Sequence, residues 1–226
     1  MNVIISGASR GIGLEVATLL CKQGHNVLAI ARSEDQLLQL QKANSAITVL
    51  GIDLMNTDLK SRLNALIGAW SQIDCIINNA GQLINKPFEE TSSEDFIDQY
   101  RSNVVTSVNL IQVCLPKLVR GSHIVNITSM GGIQGSSKFT GLSAYSSSKG
   151  ALSILSECLA VEFKEKGINV NALALGAVQT EMLKMAFPDF KAPLSPSEMG
   201  EYIADFALKG GRFFNGQVLN VALGNP

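Results

Sequence analysis

Short, nearly continuous apolar runs alternate along the chain with longer stretches in which apolar side chains recur every three or four positions. The first pattern suits strands buried on both faces of a parallel sheet, and the second suits helices that lay one apolar stripe on it. Strands are expected over residues 2–6, 26–31, 47–51, 75–78, 123–128, 169–175 and 217–221. Helices are expected over 11–22, 33–42, 57–67, 93–118, 144–166 and 197–208. Strand and helix in regular alternation define βαβ units, so the pattern predicts an α/β fold: a doubly wound, seven-stranded parallel sheet with helices on both faces.

The two longest helical patterns, on either side of the 123–128 strand, have room for a second apolar stripe and so for a subunit interface. At 226 residues the chain suits one domain spanning 1–226. No internal repeat is apparent, and the two biased stretches, serine- and glycine-rich 130–148 and proline-containing 187–196, are too short for linkers. Loops beside a ligand site explain them better.

Composition narrows the function classes. Apolar residues make up 46% of the chain and charged ones 16%, with a net charge of -1, which gives no electrostatic footing for nucleic acid. The first apolar run passes straight into a glycine turn, unlike a secretory signal, and none reaches the length of a membrane span, so a cytoplasmic protein without a membrane partner is expected. Cys21, Cys75, Cys114 and Cys158 form no C-x-x-C pair and read as structural thiols. His25 and His123 lack a second ligand at metal spacing, so no metal is expected. Trp70 and the pair Phe213 and Phe214 read as packing or subunit-contact residues.

The segment Ser6-Gly7-Ala8-Ser9-Arg10-Gly11-Ile12-Gly13 links the first strand to the first helix. Such a turn exposes backbone N–H groups and the positive end of the helix dipole, and missing Cβ atoms let a pyrophosphate approach closely. The spacing G-x-x-x-G-x-G differs from G-x-G-x-x-G, so a tight turn without a ligand remains an alternative at this point. After the second strand, where an acidic residue would select NAD, stand Ala31, Arg32 and Ser33. A guanidinium there favours a 2′-phosphate, and Arg10 can approach the same group, so NADP(H) is preferred, with NAD(H) possible because Glu34 and Asp35 follow closely.

Tyr145 and Lys149 are four residues apart at the start of a long helix and so share a face. A neighbouring cation favours the phenolate and is expected to lower the tyrosine pKa, making a general acid or base. Together with the glycine turn, Asn78-Asn79-Ala80-Gly81 after the fourth strand and Ile127-Thr128-Ser129 after the fifth, this segment resembles the compact single-domain branch of the short-chain dehydrogenase/reductase family, a Rossmann-type fold. The resemblance runs from residue 2 to about 221.

The resemblance implies a catalytic set in which Tyr145 transfers the proton, Lys149 lowers its pKa and holds the nicotinamide ribose, Ser129 polarises the substrate oxygen, and Asn103 holds a water in the relay from Lys149. It implies cofactor contacts at Gly7, Ser9, Arg10, Gly11, Ile12 and Gly13, at Asp53 and Leu54 near the adenine, at Asn79, Ala80 and Gly81 along the adenosine side, and at Gly176, Val178 and Thr180 by the nicotinamide. Asn79 can equally serve the sheet. The implied reaction is hydride transfer between nicotinamide and a small-molecule carbonyl or alcohol, in a homodimer or homotetramer.

Three departures from the family pattern stand out. Leu175 replaces a proline usual beside the nicotinamide, the 134–142 stretch is long enough to bulge over the substrate pocket, and the short 181–196 region predicts an open site. The end of the chain, Ala222 to Pro226, lacks the usual Asp-Gly-Gly. Competing readings are a non-catalytic NADP(H)-binding sensor or scaffold, and an epimerase or dehydratase; intact Asn103, Ser129, Tyr145 and Lys149 oppose the first, and the glycine spacing with a short C-terminal part opposes the second.

Overall fold

A computed structural model describes residues 1–224; Asn225 and Pro226, for which the sequence suggests an atypical ending, lie outside the described residues. Seven parallel strands form one sheet in the order β3-β2-β1-β4-β5-β6-β7. They are β1 Asn2–Ser6, β2 Asn26–Ala31, β3 Ile47–Gly51, β4 Ile73–Asn78, β5 Leu118–Ser129, β6 Asn169–Leu175 and β7 Val218–Val221. The strand order reverses between β1 and β4, and in such sheets that switch point opens a crevice at the carboxyl ends of the strands.

Period-two alternation divides each strand between two cores. Val3, Ile5, Val27, Ala29, Cys75, Ile77, Val125, Ile127, Leu173 and Leu175 face one side. There they pack on α1 (Gly11–Lys22), α2 (Glu34–Ala43) and α8 (Pro196–Lys209). Ile4, Leu28, Ile30, Ile76, Ile124 and Val170 face the other, against α3 (Leu59–Ile67), α5 (Thr106–Cys114) and α6 (Ser143–Glu162). Both faces are covered, which is why the strands read as continuous apolar runs. Ser195 starts α8 with a capping box to Glu198 and Pro196 at its first position, so that helix is bounded by its own sequence.

The helix expected over 93–118 is not continuous. It divides into α4 (Ser93–Tyr100), a π-helical turn at Arg101–Val105, α5, and a 3-10 turn at Leu115–Lys117 that holds Pro116. β5 starts earlier than expected, because Leu118 pairs with Ile73 of β4 ahead of the main ladder. A further helix, α7 (Glu181–Ala186), lies in what reads as loop.

His123 has a structural role. Its Nδ1 donates to the Ala207 carbonyl at 3.0 Å and its Nε2 accepts from Asn171 Nδ2 at 3.0 Å, an arrangement that requires the neutral ring. Burial lowers its pKa to about 4, below the unfolded value of 6.5. The unfolded chain therefore binds the proton first, and the stability His123 contributes is present above pH 6.5 and lost as pH falls toward 4. We expect a loss of about 3 kcal/mol from this group between pH 7 and pH 4. Urea titrations at the two pH values should show a gap that shrinks by this amount in His123→Gln; an unchanged gap would refute the assignment.

Candidate active site

The carboxyl ends of β1, β4, β5 and β6 open into a cavity of about 710 Å³. On one wall, Gly7 (φ +68°) and Gly11 (φ +55°) take left-handed conformations that favour glycine. A Cβ at Gly7 would lie 2.8 Å from Ala80 Cα, so the turn sits directly against the segment after β4. A Cβ at Gly13 would lie 2.3 Å from the Gly7 carbonyl oxygen and 2.5 Å from Asn79 Nδ2. Arg10 is the extended N-cap of α1 and its side chain caps nothing, so the first turn, whose Gly11 and Ile12 line the cavity, has no side-chain partner for its N–H groups.

Asn79 fastens this wall. Its Nδ2 donates to the carbonyls of Gly7 (3.0 Å) and Ser6 (3.3 Å), while the Asn79 and Ala80 backbone N–H groups both donate to Ser6 Oγ at 3.1 Å. Its structural role is thus plain, and it lines the cavity as well. Of the cofactor-contact residues expected from the sequence, Gly7, Ser9, Arg10, Gly11, Ile12, Arg32, Asp53, Leu54, Asn79, Ala80, Gly81, Gly176, Val178 and Thr180 all line the cavity. Gly13 is buried behind the turn and shapes it from below.

Ser129, Tyr145 and Lys149 line the same cavity. β5 delivers Ser129, paired with Leu175 of β6, and its Oγ accepts from the Gly131 backbone at 3.2 Å. The first turns of α6 place Tyr145 and Lys149 on one inward face, and Lys149 is only 5% exposed. Gly132 lets that helix approach closely, since a Cβ there would lie 2.6 Å from the Gly150 nitrogen.

The charges differ from the sequence expectation. Burial pushes the Tyr145 phenol up, and a hydrogen bond with Ser129 opposes the rise. Burial also pushes Lys149 down to about 8. The lysine was expected to lower the phenol, but its Nζ donates to the Ile127 carbonyl at 2.9 Å and lies 5.9 Å from the centre of the tyrosine ring. Burial is thus the larger influence on the phenol, with the Ser129 hydrogen bond opposing it.

Asn103 is fully buried in the π-helical turn, just behind the cavity wall. Its Oδ1 accepts from the Gln82 N–H at 2.8 Å, and its Nδ2 donates to the Gln82 carbonyl at 3.0 Å and to Ser148 Oγ at 2.8 Å. A Cβ at Gly81 would lie 2.9 Å from Asn103 Oδ1 and 3.3 Å from Lys149 Nζ, so only glycine lets both polar groups approach the backbone here. Gln82 and Ser148 carry the positioning that the sequence reading missed; the Asn103 match pointed to the helix without showing what grips the amide.

The long 134–142 stretch contributes Phe139 and Leu142 to the cavity, as its length suggests. The segment after Thr180 is short, as its sequence indicates, and supplies one wall of the cavity. Thr180 Oγ1 accepts from the Leu183 N–H at 3.2 Å to start α7, and Met182, Leu183, Phe187 and Phe190 line the cavity. Phe139 and Phe187 meet edge to face with centroids 6.2 Å apart, and Asn85 Nδ2 donates to the Ala186 carbonyl at 2.8 Å. Leu175 continues β6 regularly between Ser129 and Val221, so a proline is not needed to shape this end.

At the opposite end, Arg32 and Ser33 line the cavity while Glu34 and Asp35 do not. Glu34 packs over Gly51, where a Cβ would lie 2.9 Å from Glu34 Cβ. Asp53 Oδ1 accepts from the Met55 N–H at 2.8 Å. Arg10, expected near a 2′-phosphate, instead pairs with Glu181 at 3.1 Å. Among the described residues no cluster of His, Cys, Asp or Glu could hold a metal ion, and no helix is long and apolar enough to cross a membrane.

Comparison with known proteins gives a consistent picture. Residues 1–190 match the family model described as short chain dehydrogenase. The oxidoreductase BOA17 of Botryotinia fuckeliana is 34% identical over 182 residues, 78% of this chain and 65% of that protein, so the chain spans about two thirds of its length. The 3-oxoacyl-(acyl-carrier-protein) reductase FabG of Chlamydia trachomatis is 29% identical over 97% of this chain and 95% of its own. Among solved structures, a glucose/ribitol dehydrogenase of the short-chain class from Brucella melitensis superposes with a TM-score of 0.89 at 24% identity, covering 100% of this chain and 96% of that one. A short-chain dehydrogenase from Burkholderia cenocepacia, solved with NADP, gives 0.88 at 21% identity, covering 99% and 97%.

Proposed function

Because the chain belongs to the short-chain dehydrogenase/reductase family of NAD(P)-dependent oxidoreductases, we propose that it interconverts a small-molecule carbonyl compound and its alcohol with NADP(H) as the preferred cofactor. The observation that carries this reading is that Ser129, Tyr145 and Lys149 line the same cavity as the glycine turn. The left-handed turn at Gly7 and Gly11, with uncapped N–H groups at the start of α1, fits a dinucleotide pyrophosphate.

Gly7, Ser9, Gly11 and Ile12 would hold the phosphates, Arg32 the 2′-phosphate, Asp53 and Leu54 the adenine, and Val178 and Thr180 the nicotinamide end. The bound cofactor supplies or accepts the hydride. Tyr145, with its phenol raised and so protonated at neutral pH, donates a proton to the substrate oxygen during reduction. Ser129 Oγ, fixed by Gly131, stabilises the charge developing on that oxygen. Asn103 and Lys149 both close on Gly81, and they would serve a water relay from Lys149 to the outside. Phe139, Leu142, Phe187 and Phe190 give the substrate end an apolar wall, which favours an uncharged carbonyl.

We read the chain as one cytoplasmic domain, its four cysteines free among the described residues. Its assembly is a homodimer or homotetramer, supported by Ile154 and Val161 exposed two turns apart on α6.

Fluorescence titration of the purified protein tests the cofactor choice. NADPH is expected to bind more tightly than NADH, and Arg32→Ala to weaken NADPH about tenfold, the worth of one charge-assisted contact, with little change for NADH. Equal affinities, or a mutation without effect, would overturn the preference for NADP(H).

A further inference from the structure

We propose that Glu181 opposes the binding of NADP(H) by holding Arg10, and so acts as a specificity-determining residue that narrows the preference for NADP(H) over NAD(H). The inference rests on the cofactor reading above. Arg10 stands at the N-cap position of α1 in the glycine turn, Glu181 is the first residue of α7, and the two side chains pair at 3.1 Å although 171 positions apart in the chain. Both line the cavity. The walls they join are already close at this point, because a Cβ on Gly11 would lie 3.6 Å from Thr180 Cγ2.

The two side chains are 50% and 66% exposed, so neither is locked by packing and each can turn away from the other. Arg32 stands at the end of β2 and Glu181 at the start of α7, on different parts of the cavity rim. For Arg10 to join Arg32 on a 2′-phosphate it must leave the Glu181 carboxylate. NAD(H) has no such phosphate and makes no such demand, so the ion pair persists when it binds. Exposed ion pairs are weak and screened by salt, which sets the effect at about two- to fivefold in relative affinity.

The test titrates NADPH and NADH into wild type, Glu181→Gln, Arg10→Ala and the double variant, following nicotinamide fluorescence. Glu181→Gln should tighten NADPH about two- to fivefold without tightening NADH, and the gain should shrink at high salt and vanish in the Arg10→Ala background. If Arg10→Ala weakens NADPH selectively but Glu181→Gln leaves the NADPH to NADH ratio unchanged, the competition is refuted while the cofactor reading survives. If neither Arg10→Ala nor Arg32→Ala affects NADPH selectively, the cofactor reading fails and takes this inference with it. Thermal unfolding checks that each variant is folded, and Glu181→Ala should reproduce the shift.

Discussion

Tyr145→Phe is expected to lower kcat about 10³-fold while leaving NADPH affinity within about twofold of wild type. Phenylalanine preserves the half-buried ring and removes only the hydroxyl, which carries the proton and bonds with Ser129. Ser129 keeps its bond from Gly131, so the fold has little reason to change. Because burial raises the phenol, the protonated form that serves carbonyl reduction prevails at neutral pH. Alcohol oxidation needs the deprotonated form, so its rate should rise with pH in the wild type, and reduction should fall. Steady-state rates in both directions, with a cofactor titration alongside, check this. Turnover that survives the substitution would sink the proton-transfer assignment; a wild type that binds NADPH but reduces no carbonyl compound across a broad screen would favour the sensor reading.

Gly13→Ala should be the most damaging conservative change in the glycine turn, destabilising the protein by about 3 kcal/mol and abolishing measurable cofactor binding. The added methyl would meet the Gly7 carbonyl oxygen at 2.3 Å, a backbone atom that cannot swing aside, and Asn79 Nδ2 at 2.5 Å. Relief requires the turn to move, and movement costs the Asn79 bonds to Ser6 and Gly7. A fall in Tm of about 6 to 12 °C follows for a chain of this size. Gly24→Ala serves as the control: its φ of +82° carries a conformational cost, but nothing lies within 4 Å of the new atom. It should cost only about 1 kcal/mol. A Gly13→Ala protein that melts within about 2 °C of wild type would show that the turn is more pliable than its contacts imply.

The strands were legible because burial on both faces leaves an unmistakable apolar run, and the glycine turn because no other residue type serves there. What the linear pattern hides is chiefly phase and burial. An amphipathic stripe over 93–118 reads as one helix, since the π-helical turn at Arg101–Val105 shifts the phase once and leaves the period on either side of it helical. α7 has only six residues, below the length at which periodicity tells; the signal available was Thr180 followed by Glu181, a cap with an acidic first turn. The Tyr145 and Lys149 spacing shows adjacency along a helix but not that both are desolvated, which reverses the expected direction for the phenol. Residues brought together across long separations, such as Asn103 with Gln82 and Ser148, or Arg10 with Glu181, leave no local trace.

That π-helical turn also sets how this region tolerates change in length. Each residue of a helix accounts for about 100° of rotation, so the wide turn acts as one extra residue that rephases α4 against α5. Deleting a single residue from 101–105 would let the two helices run on as one regular rod, a locally comfortable outcome. The rod would nevertheless point Gln99 and Asp95 about a quarter-turn away from Ile84 and Lys86, which they now meet at 3.3 Å and 3.0 Å. Helix regularity and site geometry thus pull in opposite directions here, and a shortening that improves the first would unseat the amide of Asn103.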